Sequence, residues 1–308
     1  MKKGLMCMCV RSLWFAVCLL ALLSPRVSEA GPWSRSPGKF YAKLNQGFLF
    51  SSDKRKEGDP ANPYFAASTT FYGELGLIYG LQLHLSAPYM FATMSREDPA
   101  KQHIRYSLNS FGDGMVGLQW TPPFLQKRLG FPMALKINAK IPLYNTPTTN
   151  DPENEPGIPK DLDGSFPYQG DGQIDITIWY SVGGSIPNTP LYAFAELGYR
   201  IRTETFLDSR VGLYSLNFAD TLTFSGQLGW SFYRNMIAML NLTALYPLID
   251  ENATFKDVYS RGNVGVGVGL YIPVWKGLAL EGNFNYLIPI VNTDSVVSFS
   301  VGLSYNKR

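Results

Sequence analysis

Apolar and polar residues alternate without a break near the end of the chain. Val297, Phe299, Val301, Leu303 and Tyr305 fall on one face, and Ser298, Ser300, Gly302 and Ser304 on the other. Neighbouring side chains of a strand point to opposite faces, so the pattern predicts a strand with one greasy side and one small, polar side. Two architectures use such a strand. One is the exposed strand of a soluble sheet; the other is the wall of a membrane barrel, with lipid outside and a polar lumen inside.

The same alternation recurs in about twelve segments of roughly ten residues, the length a strand needs to cross a bilayer. The first covers 40–50, with Phe40, Ala42, Leu44, Phe48 and Phe50 on one face. The second (65–77) and third (81–91) are separated by the tight turn Ile78-Tyr79-Gly80, and Leu83, Leu85, Ala87, Tyr89 and Phe91 line one side of the third. The fourth ends in Val116, Leu118 and Trp120. The fifth alternates Met133, Leu135, Ile137, Ala139 and Ile141 with Ala134, Lys136, Asn138 and Lys140. Later segments centre on Ile176, Leu197, Leu228, Leu242, Val266 and Phe284. In the Val266 segment, Gly265, Gly267 and Gly269 alternate with valines; no helix-forming stretch follows, so this is no nucleotide-binding loop.

Connection lengths sort by end. Long polar stretches at 51–63, 95–105, 145–169, 203–215 and 250–261 alternate with short ones at 79–80, 186–190, 233–235 and 275–277. Outer-membrane barrels have long loops outside and short turns on the periplasmic side. Two connections depart from this: 121–130 is long for a periplasmic turn, and 291–293 is short for an outer loop. Pro142, Pro247, Pro273 and Pro289 mark strand ends, and Pro88, further inside its strand, predicts a bulge. Tyr89, Trp120, Tyr144, Tyr199, Trp230, Tyr246, Trp275, Tyr286 and Tyr305 are expected to form the aromatic girdles at the two membrane interfaces. The expected fold is therefore all-β: a transmembrane, antiparallel, up-and-down β-barrel of about twelve strands, with an even count that leaves both termini in the periplasm.

The N-terminus fits export. Lys2, Lys3 and Arg11 flank an apolar run from Leu13 to Leu23, and Ser28-Glu29-Ala30 reads as a cleavage site. Residues 1–30 are expected to be a signal peptide and 31–308 the barrel, in the bacterial outer membrane. Cys7, Cys9 and Cys18 all lie in the leader, which excludes disulfides and thiolate metal sites from the processed chain. Removing Lys2, Lys3, Arg11, Arg26 and Glu29 from 27 basic and 24 acidic residues leaves 23 of each. A formally neutral chain gives no electrostatic reason to expect nucleic acid as a partner. The expected partners are outer-membrane lipid, a small-molecule solute, and the barrel-assembly machinery acting through the closing strand over 297–305. No cofactor or metal is expected.

With the apolar faces toward lipid, the opposite faces carry Lys43, Glu74, His84, Asp113, Lys136, Lys140, Asp175, Glu196, Arg200, Arg202 and Glu281. Apart from His84, acids and bases are equal in number. These residues are either salt-bridge networks that narrow the bore or plain wet wall. No catalytic set is expected. His84 and Ser86 do share one strand face, a pair that resembles that of outer-membrane phospholipases, but they face the lumen and Ala87-Pro88 stands where Asn-Gly would follow. The acidic stretch 145–169, with Asp151, Glu153, Glu155, Asp161 and Asp163, has no Ca²⁺-loop spacing and reads as a solvated loop.

Several motifs resemble a known family. Ser110-Phe111-Gly112-Asp113-Gly114-Met115-Val116-Gly117-Leu118-Gln119-Trp120 is similar to the Gly-x-Gly-Asp-x-x-x-Gly-x-Lys-Tyr signature of outer-membrane proteins of the MetA-pathway phenol-degradation type. Ser110 replaces the first glycine, and Gln119-Trp120 replaces Lys-Tyr. The strand from Ala134 to Pro142, the strand end Ala87-Pro88-Tyr89, and Phe194-Ala195-Glu196-Leu197-Gly198-Tyr199-Arg200 resemble further strands of that family, in the same order. The resemblance implies a barrel that passes small hydrophobic or aromatic compounds. A structural or adhesive barrel acting through its long loops is the alternative.

Overall fold

In the computed structural model, residues 32–53, 62–97, 103–144, 174–203, 219–248, 262–291 and 295–307 are described. The described residues form one antiparallel sheet of thirteen strand segments: β1 (Phe40–Asp53), β2 (Asn62–Gly76), β3 (Leu81–Glu97), β4 (His103–Phe111), β5 (Asp113–Trp120), β6 (Met133–Pro142), β7 (Asp175–Ser185), β8 (Leu191–Arg202), β9 (Thr221–Ser231), β10 (Ile237–Pro247), β11 (Gly262–Trp275), β12 (Leu278–Val291) and β13 (Val296–Lys307). Apart from β4 and β5, each strand pairs with its sequence neighbour, and β1 pairs with β13 from Phe40↔Lys307 to Ser51↔Val296. The sheet thus closes on itself. β4 and β5 both pair with β3, as two halves of one strand, so the wall has twelve staves. Closure leaves no sheet edge, which is what lets a β-structure sit in hydrocarbon with its backbone polar groups satisfied.

The break between β4 and β5 has a clear origin. On one side of it Tyr89 pairs with Phe111; on the other Ser86 pairs with Met115. Two residues of β3, Ala87 and Pro88, therefore face three on the partner, Gly112, Asp113 and Gly114. One residue is extra, which defines a β-bulge. The bulge expected at Pro88 is real, but the added residue belongs to the neighbouring strand. Its effect is a change of phase: the exposed residue before it is Phe111, at an odd position, and those after it are Val116, Leu118 and Trp120, at even positions.

The wall separates two environments. Outward side chains are apolar and uncovered: Leu44, Leu118, Leu240, Val268, Val301 and Leu303 are each more than half exposed. In water such a belt would be untenable; against lipid it is the ordinary barrel exterior. Of the expected girdle residues, Tyr89, Trp120, Tyr199, Trp230, Tyr246, Trp275, Tyr286 and Tyr305 are exposed. Tyr144 is the exception. Its hydroxyl donates to Asp113 Oδ1 at 3.1 Å, so it turns toward the inner charges instead of lipid.

Inward glycines make room for larger neighbours. A Cβ on Gly267 would collide with the Asn285 side chain, and one on Gly229 would collide with the Tyr192 ring. The glycine run in β11 is thus a smooth patch of inner wall beneath its neighbours' amides. A small buried apolar cluster of Ala66, Ala92 and Leu108, with Leu49 and Tyr64 against it, also lies on the inner face, toward the far end of β1 to β4.

At one end the connections are short. Tyr79 and Gly80, and again Lys276 and Gly277, take positive φ, as tight hairpin turns require. The longer connection 121–130 resolves into a helix, α1 (Pro123–Leu129). Proline stands in its first turn, Lys127 and Arg128 in its last, and Gly130 closes it in the left-handed region. The connections at the opposite end, including the acidic stretch 145–169 and the short 291–293, lie largely or wholly outside the described residues.

Candidate functional site

The bore is the site. Its charges come from strand positions whose neighbours face lipid, so strand periodicity alone aims them inward. Four of the expected residues form a chain around one part of the wall. Lys140 Nζ lies 3.6 Å from Asp113 Oδ2 and 3.0 Å from Asp175 Oδ2, and Arg202 Nε lies 3.5 Å from Asp175 Oδ1. Asp175 is only 1% exposed, so both cations are needed beside it. Lys140 is close to Asp175 Oδ2 but out of line for a hydrogen bond, which makes that contact mainly Coulombic.

A second cluster joins β6, β7 and β8. Lys136 Nζ donates to both oxygens of Glu196, at 3.1 and 3.2 Å, and Ser181 Oγ donates to Oε1 at 2.7 Å. Lys136 also lies 5.3 Å from the centre of the Trp179 ring, a cation–π distance. Trp179 lies over Gly198, where a Cβ would meet the indole.

A third cluster joins β12 and β1 across β13. Lys43 Nζ donates to Glu281 Oε2, and the Tyr41 hydroxyl donates to Oε1, each at 2.5 Å. Beside it, the Tyr72 hydroxyl donates to Glu74 Oε1 at 2.7 Å and lies 3.1 Å from His84 Nδ1. Tyr72 spends its one proton on Glu74, so Nδ1–H must be the donor to Tyr72. That leaves His84 Nε2 as acceptor for the Gln82 amide at 3.3 Å. Both imidazole nitrogens are engaged, and neither engagement is with Ser86. The His-Ser pair therefore lacks the geometry of an activated nucleophile. Arg200 stands on the inner face of β8, opposite Thr177 and Thr221.

Sequence reasoning missed one arginine. Residues 32–39 have no alternation, yet they cross the inside of the short-turn end. Arg35 Nε donates to Glu74 Oε2 at 2.7 Å, and its Nη1 donates to Asn306 Oδ1 at 3.0 Å. The Arg35 backbone N–H donates to Gln82 Oε1 at 2.7 Å. Further along, Gln119 Nε2 donates to the Trp33 carbonyl and Thr121 Oγ1 to the Pro32 carbonyl. The only sequence signal was an unmatched acid: the inner face of β2 offers Glu74, whose cation comes from outside the sheet. A cavity of about 1500 Å³ lies inside this end, bordered by Lys43, Glu74, His84, Lys136, Glu196 and Glu281 and by the turns at 186–190, 234–235 and 274–277.

Closed wall, apolar exterior and charged interior together define an outer-membrane β-barrel, embedded in the lipid of the bacterial outer membrane. No known family model matches the chain, and no curated protein sequence matches it. Solved structures do. An outer membrane channel from Pseudomonas putida F1 superposes over 91% of this chain and 100% of its own, with a TM-score of 0.63 at 9% identity. The NanC porin superposes over 86% of this chain and 98% of its own, with a TM-score of 0.51 at 9% identity. At such identities the likeness is one of fold.

Proposed function

We propose that this protein is a passive outer-membrane channel for small solutes, and that hydrophobic or aromatic compounds are its cargo. The observation that carries the reading is the cavity of about 1500 Å³ inside the short-turn end, on whose wall Lys43 pairs with Glu281 and Lys136 with Glu196. The paired acids and bases give little net field, and Arg234, Lys276 and Lys307 add positive charge at the turns, so the bore would favour uncharged or weakly acidic molecules over cations. The motifs around Gly112-Asp113, Lys140-Ile141-Pro142 and Gly198-Tyr199-Arg200 support membership of the MetA-pathway phenol-degradation type, and with it the aromatic cargo. Inner rings of Tyr41, Tyr72, Trp179, Tyr192 and Phe194 offer flat apolar surfaces to such a molecule. Processing after Ala30 and recognition of the strand over 297–305 by the assembly machinery belong to the same reading.

Swelling of liposomes carrying the purified protein tests it. Small aromatic solutes too polar to cross lipid unaided should enter faster than sugars of equal size. Equal rates would remove the aromatic preference. No swelling above protein-free liposomes with any solute would remove the channel.

A further inference from the structure

The stretch 32–39 is held in the mouth by side chains from many staves. Arg35 ties it to β2 through Glu74 and to β13 through Asn306; Gln82, Gln119 and Thr121 tie it to the β3 and β5 side. Arg35 also lies 5.0 Å from the centre of the Tyr41 ring. At Gly76 a Cβ would lie within 3 Å of the Ser36 and Arg35 backbones, so the absence of a side chain lets this stretch lie directly on β2.

Trp33 then reaches across. Its ring meets that of Tyr192 edge-on, with centroids 6.2 Å apart and planes at 83°. Tyr192 belongs to β8, which stands opposite β1 in a twelve-stave wall. The tyrosine is itself fixed: it lies over Gly229, and its hydroxyl donates to Gln227 Oε1 at 2.7 Å. Tyr41, Glu74, Gln119, Tyr192 and Asn306, which the stretch contacts, all border the cavity, so the stretch lies against its lining residues.

We propose that Trp33, held in place by the Arg35 latch on Glu74 and Asn306, sets the size limit of the periplasmic mouth. The barrel wall fixes the outer width, and the Trp33–Tyr192 contact spans part of what remains. The backbone of the stretch joins β2 at its β1 end, where Gly38 donates to the Gly76 carbonyl and Lys39 accepts from Gly76, and side chains hold the rest, so losing the latch would loosen residues 32–36 without unfolding the wall. This inference rests on the channel reading above.

Planar-bilayer conductance of the processed, full-length protein tests it. Trp33→Ala should raise single-channel conductance by at least about twofold and admit larger uncharged polymers, because a bulky ring leaves the narrowest part of the pore. Arg35→Ala should move both readouts the same way by releasing the stretch. Trp33→Phe, which keeps an edge-on ring, should stay near wild type, as should Ser36→Ala on the exposed part. Heat-modifiable gel mobility establishes that each variant is a folded barrel. Folded Trp33→Ala and Arg35→Ala proteins that conduct like wild type would overturn the inference and leave the channel standing. Silence from all of them, wild type included, would overturn both.

Discussion

Lys43 and Glu281 form an ion pair across an intervening strand. Lys43 lies on β1 and Glu281 on β12, with β13 between them, yet Nζ and Oε2 are 2.5 Å apart. Gly302 makes this possible. It sits on the inner face of β13 directly opposite Glu281 and two residues from Ser304, Lys43's partner, and a Cβ there would lie 2.7 Å from Lys43 Cε. The pair needs a long cation, an acid two strands away, and nothing standing up between.

A double-mutant cycle measures that dependence. Lys43→Met and Glu281→Gln, singly and together, should show a coupling of about 0.5–3 kcal/mol, the range for residues in direct contact. In a Gly302→Val background the coupling should fall toward zero, because the added methyls lift the lysine stem off the wall. Coupling that survives the valine would mean that the glycine has no part in the pair. Urea unfolding from lipid vesicles is the measurement.

Asp175 is the most buried of the inner acids and is shared by Lys140 and Arg202. Asp175→Asn should destabilise the barrel by about 3–5 kcal/mol, the cost of leaving buried charges without their partner. Asp113→Asn should cost much less, since Asp113 is more exposed and Lys140 keeps Asp175. Equal losses at the two sites would contradict the shared-acid arrangement.

The two sides of β10 offer a sharper contrast. Leu242 faces outward and Thr243 inward, over Gly265. Leu242→Arg should cost about 2–4 kcal/mol, the price of a guanidinium near the middle of a bilayer. Thr243→Arg places the same group in the wet bore and should cost far less. A reversed order would mean that the faces are assigned the wrong way round.

Most of the wall was legible in the sequence because its code is local. Alternation at Val297 to Tyr305 or at Leu135 to Ile141 needs only two environments and a period of two, so inward residues such as Lys43, Lys136, Asp175 and Glu196 follow from counting. The pairings among them did not follow, because a bridge like Lys43–Glu281 depends on register and on a glycine in a third strand. The bulge was half legible. Pro88 signalled an irregularity, but a proline cannot say which strand takes the added residue. The helix over Pro123–Leu129 had its signals in Pro123 and Gly130, but they fell in a connection read only for length. The stretch 32–39 was invisible, since a segment without periodicity carries no sign of what it lies against. Tyr144 was misplaced by its residue type: a tyrosine at a strand end suits an interface, and only the position of Asp113 draws it inward.

The bulge makes its own prediction. Deleting Gly112 would remove the added residue and leave an unbroken ladder on β3, with Asp113 and Gly114 opposite Pro88 and Ala87. Val116, Leu118 and Trp120 would still face lipid, and Asp113 and Gln119 the bore, because losing the one extra residue cancels the one-residue change of phase. The deletion variant should therefore still give a heat-modifiable, folded band on gels. A variant that fails to fold or insert would show that the bulge itself is required.

The claim beneath all of these is that one face of each strand touches hydrocarbon and the other touches water. The processed chain is expected to hold no cysteine, so single cysteines placed along β13 report on it directly. Ser298 and Ser300, each changed to Cys, should react with a small, water-soluble thiol reagent in the folded, lipid-embedded protein. Changed likewise, Phe299, Val301 and Leu303 should stay unreactive until the barrel is unfolded. Uniform reactivity along the strand, or the opposite alternation, would contradict the account.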